Sequence, residues 1–248
     1  MTRRRWIADT RTATTASLTG EQAEHLARVL RAIPGQVYDV VAGGFLHRAE
    51  IVSVHAASAG QPAEVLFTLH EELESDSALP LDLLLAIFKF DHMEWAIEKA
   101  TELGVSRITP VLARRTEKHL SHAATKRAER WRRIALEASK QSRRTTIPEI
   151  ADPVVLKEAL GQTASPVRIL LSETEQTTTI AAALQQHRSK TGAALSHALA
   201  IGPEGGWTHD EMALFAQHEW QPVTLGPRIL RAETAAIAAI AILSSHIA

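Results

Sequence analysis

Leu199-Ala-Ile-Gly-Pro-Glu-Gly-Gly-Trp-Thr208 is a short apolar run that breaks at a Gly-Pro pair, and Leu225-Gly-Pro-Arg-Ile-Leu-Arg-Ala-Glu-Thr-Ala235 follows the same order. Each predicts a buried strand, then a stiff loop, then a helix, because glycine and proline interrupt the ladder of a sheet. Thr208 and Glu211 have capping-box spacing, which predicts a helix from about residue 209. Two such loops at strand ends of one α/β sheet predict a small-molecule site.

The glycines of the first stretch, Gly202, Gly205 and Gly206, are expected to allow positive φ and close approach of the backbone to a ligand. Neither stretch contains G-x-G-x-x-G or G-x-x-x-x-G-K-[ST], so a dinucleotide site or a P-loop is not supported. Judged by the glycines alone, two tight turns in an ordinary globular protein remain an equal alternative.

The composition describes an ordinary globular protein: 248 residues, 45% hydrophobic and 22% charged. Cysteine is absent, which excludes a disulfide scaffold and a thiolate metal site. The basic start, Met1–Trp6, has no apolar segment behind it, so no signal peptide is predicted. The longest apolar runs, Leu83–Phe88 and Ala235–Leu243, are too short to cross a bilayer. We therefore expect a cytoplasmic protein without a membrane partner.

The formal net charge of −1 conceals a basic segment over residues 113–144, which has eleven Lys and Arg residues against three Glu residues. A local excess of positive charge in a neutral chain indicates a nucleic-acid partner. On the helix predicted over 123–142, the charged residues Arg130, Arg133, Glu137 and Lys140 lie on a different stripe from the apolar Trp131. A solvated charged helix face is the alternative interpretation.

Residues 1–72 read mainly as β-structure. Strands at 37–42 and 45–54 flank Gly43-Gly44, a strong hairpin signal, and a third strand is predicted at 64–70. A short helix at 21–30 completes what we expect to be a small barrel. The polar segment 71–80 predicts a boundary between a domain at 1–72 and one at 78–248.

From residue 81 the pattern changes to strands that alternate with helices, which predicts a parallel α/β sheet. Asp91 and Glu94 have capping spacing, so a helix is expected from there to Gly104. Spacing alone predicts an ordinary open sheet. The predicted strands are 81–88, 105–112, 167–172 and 197–201, and the predicted helices after Gly104 include 123–142, 179–187 and 233–245.

Gly-Pro-Glu-Gly-Gly at 202–206 and the stretch at 225–235 together resemble the two signature loops of the RsmE family. These are knotted (SPOUT-class) methyltransferases that act on N3 of a uridine in 16S ribosomal RNA of the small subunit. His25-Leu-Ala-Arg-Val-Leu-Arg31 and the run Glu137–Pro148 are also similar to family patterns, as are Lys89, Glu102–Val105 and Arg115. The resemblance covers nearly the whole chain and is densest at 199–236.

The resemblance implies an α/β fold with a C-terminal SPOUT-type trefoil-knotted parallel sheet that has helices on both faces, and a small N-terminal PUA-like β-barrel that binds RNA. It implies S-adenosylmethionine as cofactor and 16S ribosomal RNA or the small subunit as partner. It further implies a homodimer whose cofactor site lies at the interface. The last helix, apolar nearly all round, also favours burial in a core or an interface.

The resemblance also implies site residues. The expected catalytic residues are Arg231, Glu204 and Glu233. The expected cofactor-binding residues are Leu171, Ser172, Glu173, Ile201, Gly202, Pro203, Glu204, Gly205, Gly206, Leu225, Gly226, Ile229, Leu230, Arg231 and Thr234. The expected RNA-binding residues are Arg3, Arg4, Arg5, Arg28, Arg31, Lys89, Arg114, Arg115, Arg133, Gln141 and Arg144.

Several alternatives stay open at this point. Arg231 is expected to stabilise negative charge on the uridine, but an ion pair with Glu233 or Glu204 that only shapes the loop is the competing role. His119 and His122 are three residues apart without a recognisable third ligand, so no metal is expected. No G-x-S-x-G elbow supports a hydrolase. A non-catalytic RNA-binding or ribosome-assembly protein, or a metabolic α/β enzyme for small anions, are the other function classes.

Overall fold

The computed structural model describes residues 5–58, 60–73, 78–142, 144–191 and 196–247, with side chains undescribed at 188–191. Arg3 and Arg4, two of the expected RNA-binding residues, lie outside the described residues. The chain divides into two compact units, Met1–Ser77 with Ser139–Thr146 and Ala78–Ala138 with Ile147–Ala248.

The first unit contains a six-stranded sheet in the order β1-β4-β5-β6-β3-β2, in which only the β1–β4 pair is parallel. Gly43 and Gly44 adopt positive φ (63° and 87°) between β4 and β5, which confirms the predicted hairpin. The elements are β1 Arg5–Ile7, β2 Thr10–Arg11, β3 Thr15–Thr19, α1 Gly20–Glu24, a π-helical turn His25–Val29, β4 Val37–Ala42, β5 Phe45–His55 and β6 Glu64–Leu73.

The helix expected over 21–30 is interrupted. α1 ends at Glu24, and the chain continues as the π-helical turn that ends at Val29. Leu26 in this turn is fully buried in the core of the unit together with Trp6 and Phe67, so packing of Leu26 fixes the turn more than helix propensity does.

The second unit contains a parallel sheet in the order β10-β8-β7-β12-β11-β13, with β9 paired to β8. The parallel sheet predicted from the sequence is therefore confirmed. Its elements are β7 Leu79–Ala86, α2 Phe90–Glu102, β8 Val105–Leu112, α3 Lys118–Ser142, β9 Glu149–Ile150, β10 Val154–Val155, α4 Leu156–Gln162, β11 Val167–Leu171, α5 Ile180–Thr191, β12 His197–Ile201, α6 His209–Gln217, β13 Gln221–Val223 and α7 Ala232–Ile247.

Both faces of this sheet are covered, which explains why its strands are almost continuously apolar. Leu83 and Leu85 on β7 belong to a core formed with α2, α3, α5 and α7, whereas Leu84 between them belongs to a second core formed with α4 and α6. On β11, Ile169 and Leu170 divide between the two cores in the same way. Successive side chains of a strand point to opposite faces, so these strands have buried apolar side chains on both faces.

Three expectations about element ends need correction. The helix α2 begins at Phe90 with Lys89 as its N-cap and without a side-chain cap, so Asp91 does not cap it. Glu94 instead accepts from Arg127 and Arg130 of α3. The strand expected to lead into residue 225 ends at Val223, and α3 begins at Lys118, earlier than expected.

Among the described residues, no helix is long and apolar enough to span a membrane.

Candidate active site

A cleft of about 1080 Å³ lies at the carboxyl ends of β12, β11 and β13. Because these strands are adjacent and parallel, the loops that follow them meet at one edge of the sheet, which is where open α/β sheets bind ligands. We call residues 202–208 the first loop, 172–178 the middle loop and 224–231 the second loop. The starts of α2 and α7 complete the walls through Lys89, His92, Ala232 and Ala235.

The first loop is held by several hydrogen bonds. Its turn is closed by the Gly206 N–H, which donates to the Pro203 carbonyl at 2.8 Å. The predicted capping box is present: Glu211 N–H donates to Thr208 Oγ1 at 3.3 Å, and Thr208 N–H donates to Glu211 Oε2 at 2.8 Å. The other oxygen of this buried carboxylate accepts from the Arg114 backbone N–H at 2.8 Å. The guanidinium of Arg115 donates to the Gly205 carbonyl.

Of the three glycines in the first loop, only Gly206 has a positive φ, 70°, so the positive φ expected at Gly202 and Gly205 is wrong. Their lack of a side chain serves packing instead. A Cβ on Gly202 would lie 3.1 Å from Nε1 of Trp207, and one on Gly205 would lie 3.2 Å from Cδ of Arg115. The first loop therefore needs glycine at 202 and 205 because a side chain has no room there, and at 206 because of the positive φ.

The second loop is held mainly at its start. The Thr224 N–H donates to the Thr178 carbonyl at 2.8 Å, and the Gly226 N–H donates to Thr224 Oγ1 at 3.1 Å. Gly226 has φ of 108°, which requires glycine. Beyond it Ile229 is 84% exposed, and Arg231 is exposed at the cleft.

The middle loop carries an anchored carboxylate that the sequence did not identify. Oε1 of Glu175 accepts from the backbone N–H groups of Thr178 and Thr177, both at 2.8 Å, and from the Thr177 hydroxyl at 2.7 Å. The hydrogen bond from Thr178 is the largest cause that lowers the pKa of Glu175 to about 2, followed by those from Thr177. The known turn signals did not predict this contact, because Asx- and ST-turns concern Asn, Asp, Ser and Thr side chains and the acceptor here is a glutamate.

Most expected cofactor residues line the cleft. Those that do are Leu171, Ser172, Glu173, Ile201, Gly202, Pro203, Glu204, Gly206, Leu225, Gly226, Ile229, Leu230 and Arg231. Gly205 and Thr234 are not in its lining; Gly205 faces a cavity of about 190 Å³ next to the first loop. Thr174, Gln176 and Thr179 line the cleft without having been expected.

The buried carboxylate of Glu233 has a partner that sequence reasoning missed. Its Oε1 lies 3.0 Å from Nδ1 of His92 on α2, and its side chain is 4% exposed. The alternative in which Arg231 pairs with Glu233 is therefore not the arrangement found. Glu204, the other proposed partner of Arg231, is exposed. The only feature of the sequence that could have indicated His92 is its position three residues after Lys89, which matches a family position.

The expected RNA-binding residues of the second unit differ in their surroundings. Lys89 and Arg115 line the cleft, while Arg114 and Arg133 are exposed. Part of the basic segment is neutralised by acidic residues outside it: Arg127 and Arg130 pair with Glu94, and Arg132 pairs with Asp152 at 2.6 Å. The local excess counted along the sequence therefore overstates the charge that this segment presents.

The remaining expected RNA-binding residues belong to the first unit. Arg28 pairs with Glu24 at 2.5 Å, and Arg31 is exposed with φ of 49°. Gln141 is exposed, and Arg5 and Arg144 are half-buried. Burial lowers the pKa of Arg144 to about 10, so the guanidinium remains charged at neutral pH.

Within the residues that the structure describes, no group of three or more His, Asp and Glu side chains is arranged to hold a metal ion. His119 lies 3.4 Å from Glu117 and is largely exposed. Both histidines that prompted the metal hypothesis are exposed residues of α3.

Known proteins match this chain in both sequence and fold. A family model described as RNA methyltransferase domain matches residues 75–244, which defines the class. A ribosomal RNA small subunit methyltransferase E from Synechocystis is 35% identical over 229 residues, covering 92% of this chain and 72% of that protein. The protein of the same name from Bacillus subtilis is 32% identical, covering 94% of this chain and 90% of that protein.

Solved structures agree with these matches. The crystal structure of a ribosomal RNA small subunit methyltransferase E from Neisseria gonorrhoeae, bound to S-adenosyl methionine, superposes with a TM-score of 0.78 at 30% identity and covers 98% of both chains. The chain belongs to the ribosomal RNA small subunit methyltransferase E family. The resemblance stated from the sequence motifs is thereby confirmed.

Proposed function

We propose that this protein transfers a methyl group from S-adenosylmethionine to N3 of a specific uridine in 16S ribosomal RNA of the small ribosomal subunit. The observation that carries this proposal is the cleft at the ends of β11, β12 and β13, bounded by the two glycine loops. The Neisseria gonorrhoeae relative, whose structure contains S-adenosyl methionine, matches this chain along nearly its whole length. A cytoplasmic location is part of the proposal.

The residues of the cleft fit S-adenosylmethionine. The cofactor has no phosphate, and the loops lack the phosphate fingerprints. Its adenine suits the apolar side chains Ile201, Leu225 and Leu230, while its cationic groups suit the carboxylates of Glu173 and Glu204. The cleft volume of about 1080 Å³ exceeds what most single small ligands occupy, which leaves space for a nucleotide. When bound, S-adenosylmethionine supplies a methyl group on a positively charged sulfur.

Arg231 is positioned to act on the uridine. Removal of the N3 proton leaves negative charge that N3 shares with the two flanking carbonyl oxygens, and a planar guanidinium donates well to such a spread of charge. Arg231 is exposed at the cleft and directly precedes α7, whose first turn adds positive potential. Its expected role is stabilisation of that anion, with the loops aligning the two reactants.

RNA binding is proposed to use exposed basic residues in both units, among them Arg31 and Arg133. Arg133→Ala should lower the dependence of log affinity on log salt by about one, since one phosphate contact is lost. Lys157→Ala, an exposed change on α4 outside the basic segment, is the matched control. A binding constant independent of salt in the unmodified protein would exclude this electrostatic interface.

The finer features of the fold are also proposals. A trefoil knot in the second unit is supported by membership of the chain in the RsmE family. A PUA-like barrel is supported by the six-stranded, largely antiparallel sheet of the first unit. Domain limits of 1–72 and 78–248 remain the proposed ones, as does a homodimer through α7, where Ala241 is exposed. Sedimentation of the purified protein tests the dimer.

The deciding experiment combines cofactor binding with RNA mapping. Calorimetry with S-adenosylmethionine should show one site per chain, and mass spectrometry of 16S ribosomal RNA should find one uridine that carries an N3 methyl group only when the protein is present. Cofactor binding without any change in the RNA would instead support a non-catalytic RNA-binding or ribosome-assembly protein. Methylation at a position other than N3 would correct the proposed chemistry.

A further inference from the structure

The imidazole of His92 lies in the wall of the cleft where α2 and α7 begin. Its Nδ1 is 3.0 Å from Oε1 of Glu233, and the two side chains are 27% and 4% exposed. A half-exposed imidazole that faces a cleft, with a buried carboxylate behind it, is the arrangement in which a carboxylate orients a general base.

A hydrogen bond between Nδ1 of His92 and Glu233 would select one tautomer of the ring. A carboxylate can only accept a hydrogen bond, so such a bond would place the proton of the neutral imidazole on Nδ1 and the lone pair on Nε2. The ring is not aligned for a linear hydrogen bond to Glu233. Catalytic hydrogen bonds are often misaligned without substrate and tighten when it binds.

The charges around His92 suit this role. On its own helix, Asp91 is 78% exposed with Oδ2 at 3.7 Å from Nε2, and Lys89 lines the same cleft. From the other side, Glu233 lies in the first turn of α7, where the helix dipole stabilises a carboxylate. Arg231, just before α7, also lines the cleft. Glu94, on the same helix as His92, is engaged by arginines of α3, and the carboxylates of Glu173, Glu175 and Glu204 line the same cleft.

We propose that His92 is a catalytic residue that takes the N3 proton of the target uridine, and that Glu233 is its positioning residue. The inference rests on the proposed function, because it requires a substrate nitrogen that carries a proton. The N–H bond of N3 breaks and its proton moves to Nε2 of His92, while the N3 electron pair forms the bond to the methyl carbon and the pair of the broken carbon–sulfur bond stays on sulfur. The imidazolium then releases its proton to solvent.

This assignment divides the work between two residues of the cleft. His92 removes the proton, and Arg231 stabilises the charge that its removal leaves on the base. Glu233 does not touch the substrate in this scheme. Its role is to orient the ring of His92 and to fix its tautomer.

The test uses the full-length protein and small-subunit RNA from cells that lack it. His92→Gln should lose about 10²–10⁴ in turnover, as expected for removal of a general base, with affinity for S-adenosylmethionine unchanged by calorimetry. The fall in turnover of the unmodified enzyme toward acidic pH should disappear in this variant. His119→Gln, an exposed change on α3, is the control and should leave both quantities unchanged.

Two further variants separate a base from an ion-pair partner. His92→Lys keeps a cation beside Glu233, so it should preserve the thermal midpoint without restoring turnover. Glu233→Gln should lose less turnover than His92→Gln. Nitrogen-15 NMR of the imidazole gives a readout independent of activity: the ring should carry its proton on Nδ1 in the unmodified protein and lose that preference in Glu233→Gln.

The outcomes distinguish the two proposals. If the unmodified protein binds S-adenosylmethionine but methylates no uridine N3, the proposed function fails and the role of His92 fails with it. If it methylates N3 and His92→Gln does so equally well, only the role of His92 is overturned. Full turnover in His92→Lys, or a ring protonated on Nε2 in the unmodified protein, would likewise overturn it.

Discussion

The first and second loops meet at one cleft but are fixed to the fold to very different degrees. The first loop has a closed turn at Gly206, a complete capping box at Thr208 and a hydrogen bond from Arg115 of a distant segment. The second loop is bonded at Thr224 and Gly226. Its Arg228 and Ile229 form no hydrogen bond or ion pair with any residue that the structure describes, and Ile229 is 84% exposed.

This difference indicates a division of labour. A loop that is already ordered loses little conformational entropy when a ligand binds, so the first loop is suited to hold the cofactor in place. The second loop presents its side chains to the open side of the cleft, which suits contact with the RNA nucleotide. We therefore expect changes in the first loop to affect cofactor affinity, and changes at the exposed Arg228 and Arg231 of the second loop to affect turnover.

The largest effect expected from this comparison is that of Arg231→Ala. If Arg231 stabilises the charge that develops on the uridine, the variant should retain cofactor affinity and lose about 10²–10³ in turnover, as for removal of one oxyanion donor. Arg231→Lys should recover part of this loss, because a point charge matches a delocalised anion less well. Calorimetry and single-turnover kinetics measure the two quantities.

A loss of cofactor affinity in Arg231→Ala equal to its loss of turnover would break the comparison. Arg231 would then serve to shape the second loop, and Glu204 would be the carboxylate with which it forms an ion pair. The close contact of Glu233 with His92 makes a partnership of Arg231 with Glu233 the less favoured version of that alternative.

The next effect concerns the glycines with positive φ. Gly206→Val places a β-branched residue at φ of 70° in the fixed first loop, which costs about 1–3 kcal/mol and should weaken cofactor binding by about tenfold or more. Gly226→Val is strained as well, because φ is 108°, but its Cβ meets open space in a loop with few hydrogen bonds, which is able to adjust. Its effect should be smaller. Gly161→Ala on α4, where φ is not positive, is the control for both.

The contrast between the loops was only partly accessible from sequence. The capping box of Thr208 and Glu211 was predicted correctly because both partners lie within one helical turn, and the apolar strands were predicted because burial on both faces leaves a continuous pattern. The same spacing at Asp91 and Glu94 predicts a capping box that does not form, because Glu94 accepts hydrogen bonds from Arg127 and Arg130 of α3. Local spacing shows what a residue is able to do, and tertiary neighbours decide between the possibilities.

The long-range contacts of the site could not be predicted from the sequence. Arg115, one of the expected RNA-binding residues, also donates to Gly205, ninety residues further along the chain. The pairing of His92 with Glu233 joins α2 to α7, and neither residue lies in a pattern that names the other. Likewise, charge counted along the segment 113–144 ignored Glu94 and Asp152, which lie elsewhere in the sequence.

A smaller effect is expected from Arg115→Ala, which tests whether the first loop is fixed from outside. Removal of the hydrogen bond to Gly205 should weaken cofactor binding about threefold to tenfold, the range of one partly exposed hydrogen bond. Turnover at saturating cofactor should be nearly unchanged. Arg114→Ala is the matched control, because the contact of Arg114 with Glu211 uses its backbone N–H. Equal loss in both variants would indicate a general effect of charge instead.

The smallest effect belongs to Glu175, and it tests whether the middle loop supports the second loop. Three hydrogen bonds from Thr178 and Thr177 favour the charged carboxyl and lower its pKa from 4.5 to about 2. A lowered pKa in the folded state stabilises the fold above the pKa of the unfolded chain, and this contribution is lost as the pH falls toward 2. Unfolding experiments should therefore find Glu175→Gln less stable than the unmodified protein at pH 7. The difference should shrink between pH 4.5 and 2.

Because Thr178 also accepts from Thr224 at the start of the second loop, loss of this anchor should raise hydrogen exchange at residues 224–226 and leave the first loop unchanged. A stability difference that is the same at pH 7 and pH 2 would show that the carboxylate is not what orders the middle loop, and the second loop would then be fixed by Thr224 and Gly226 alone.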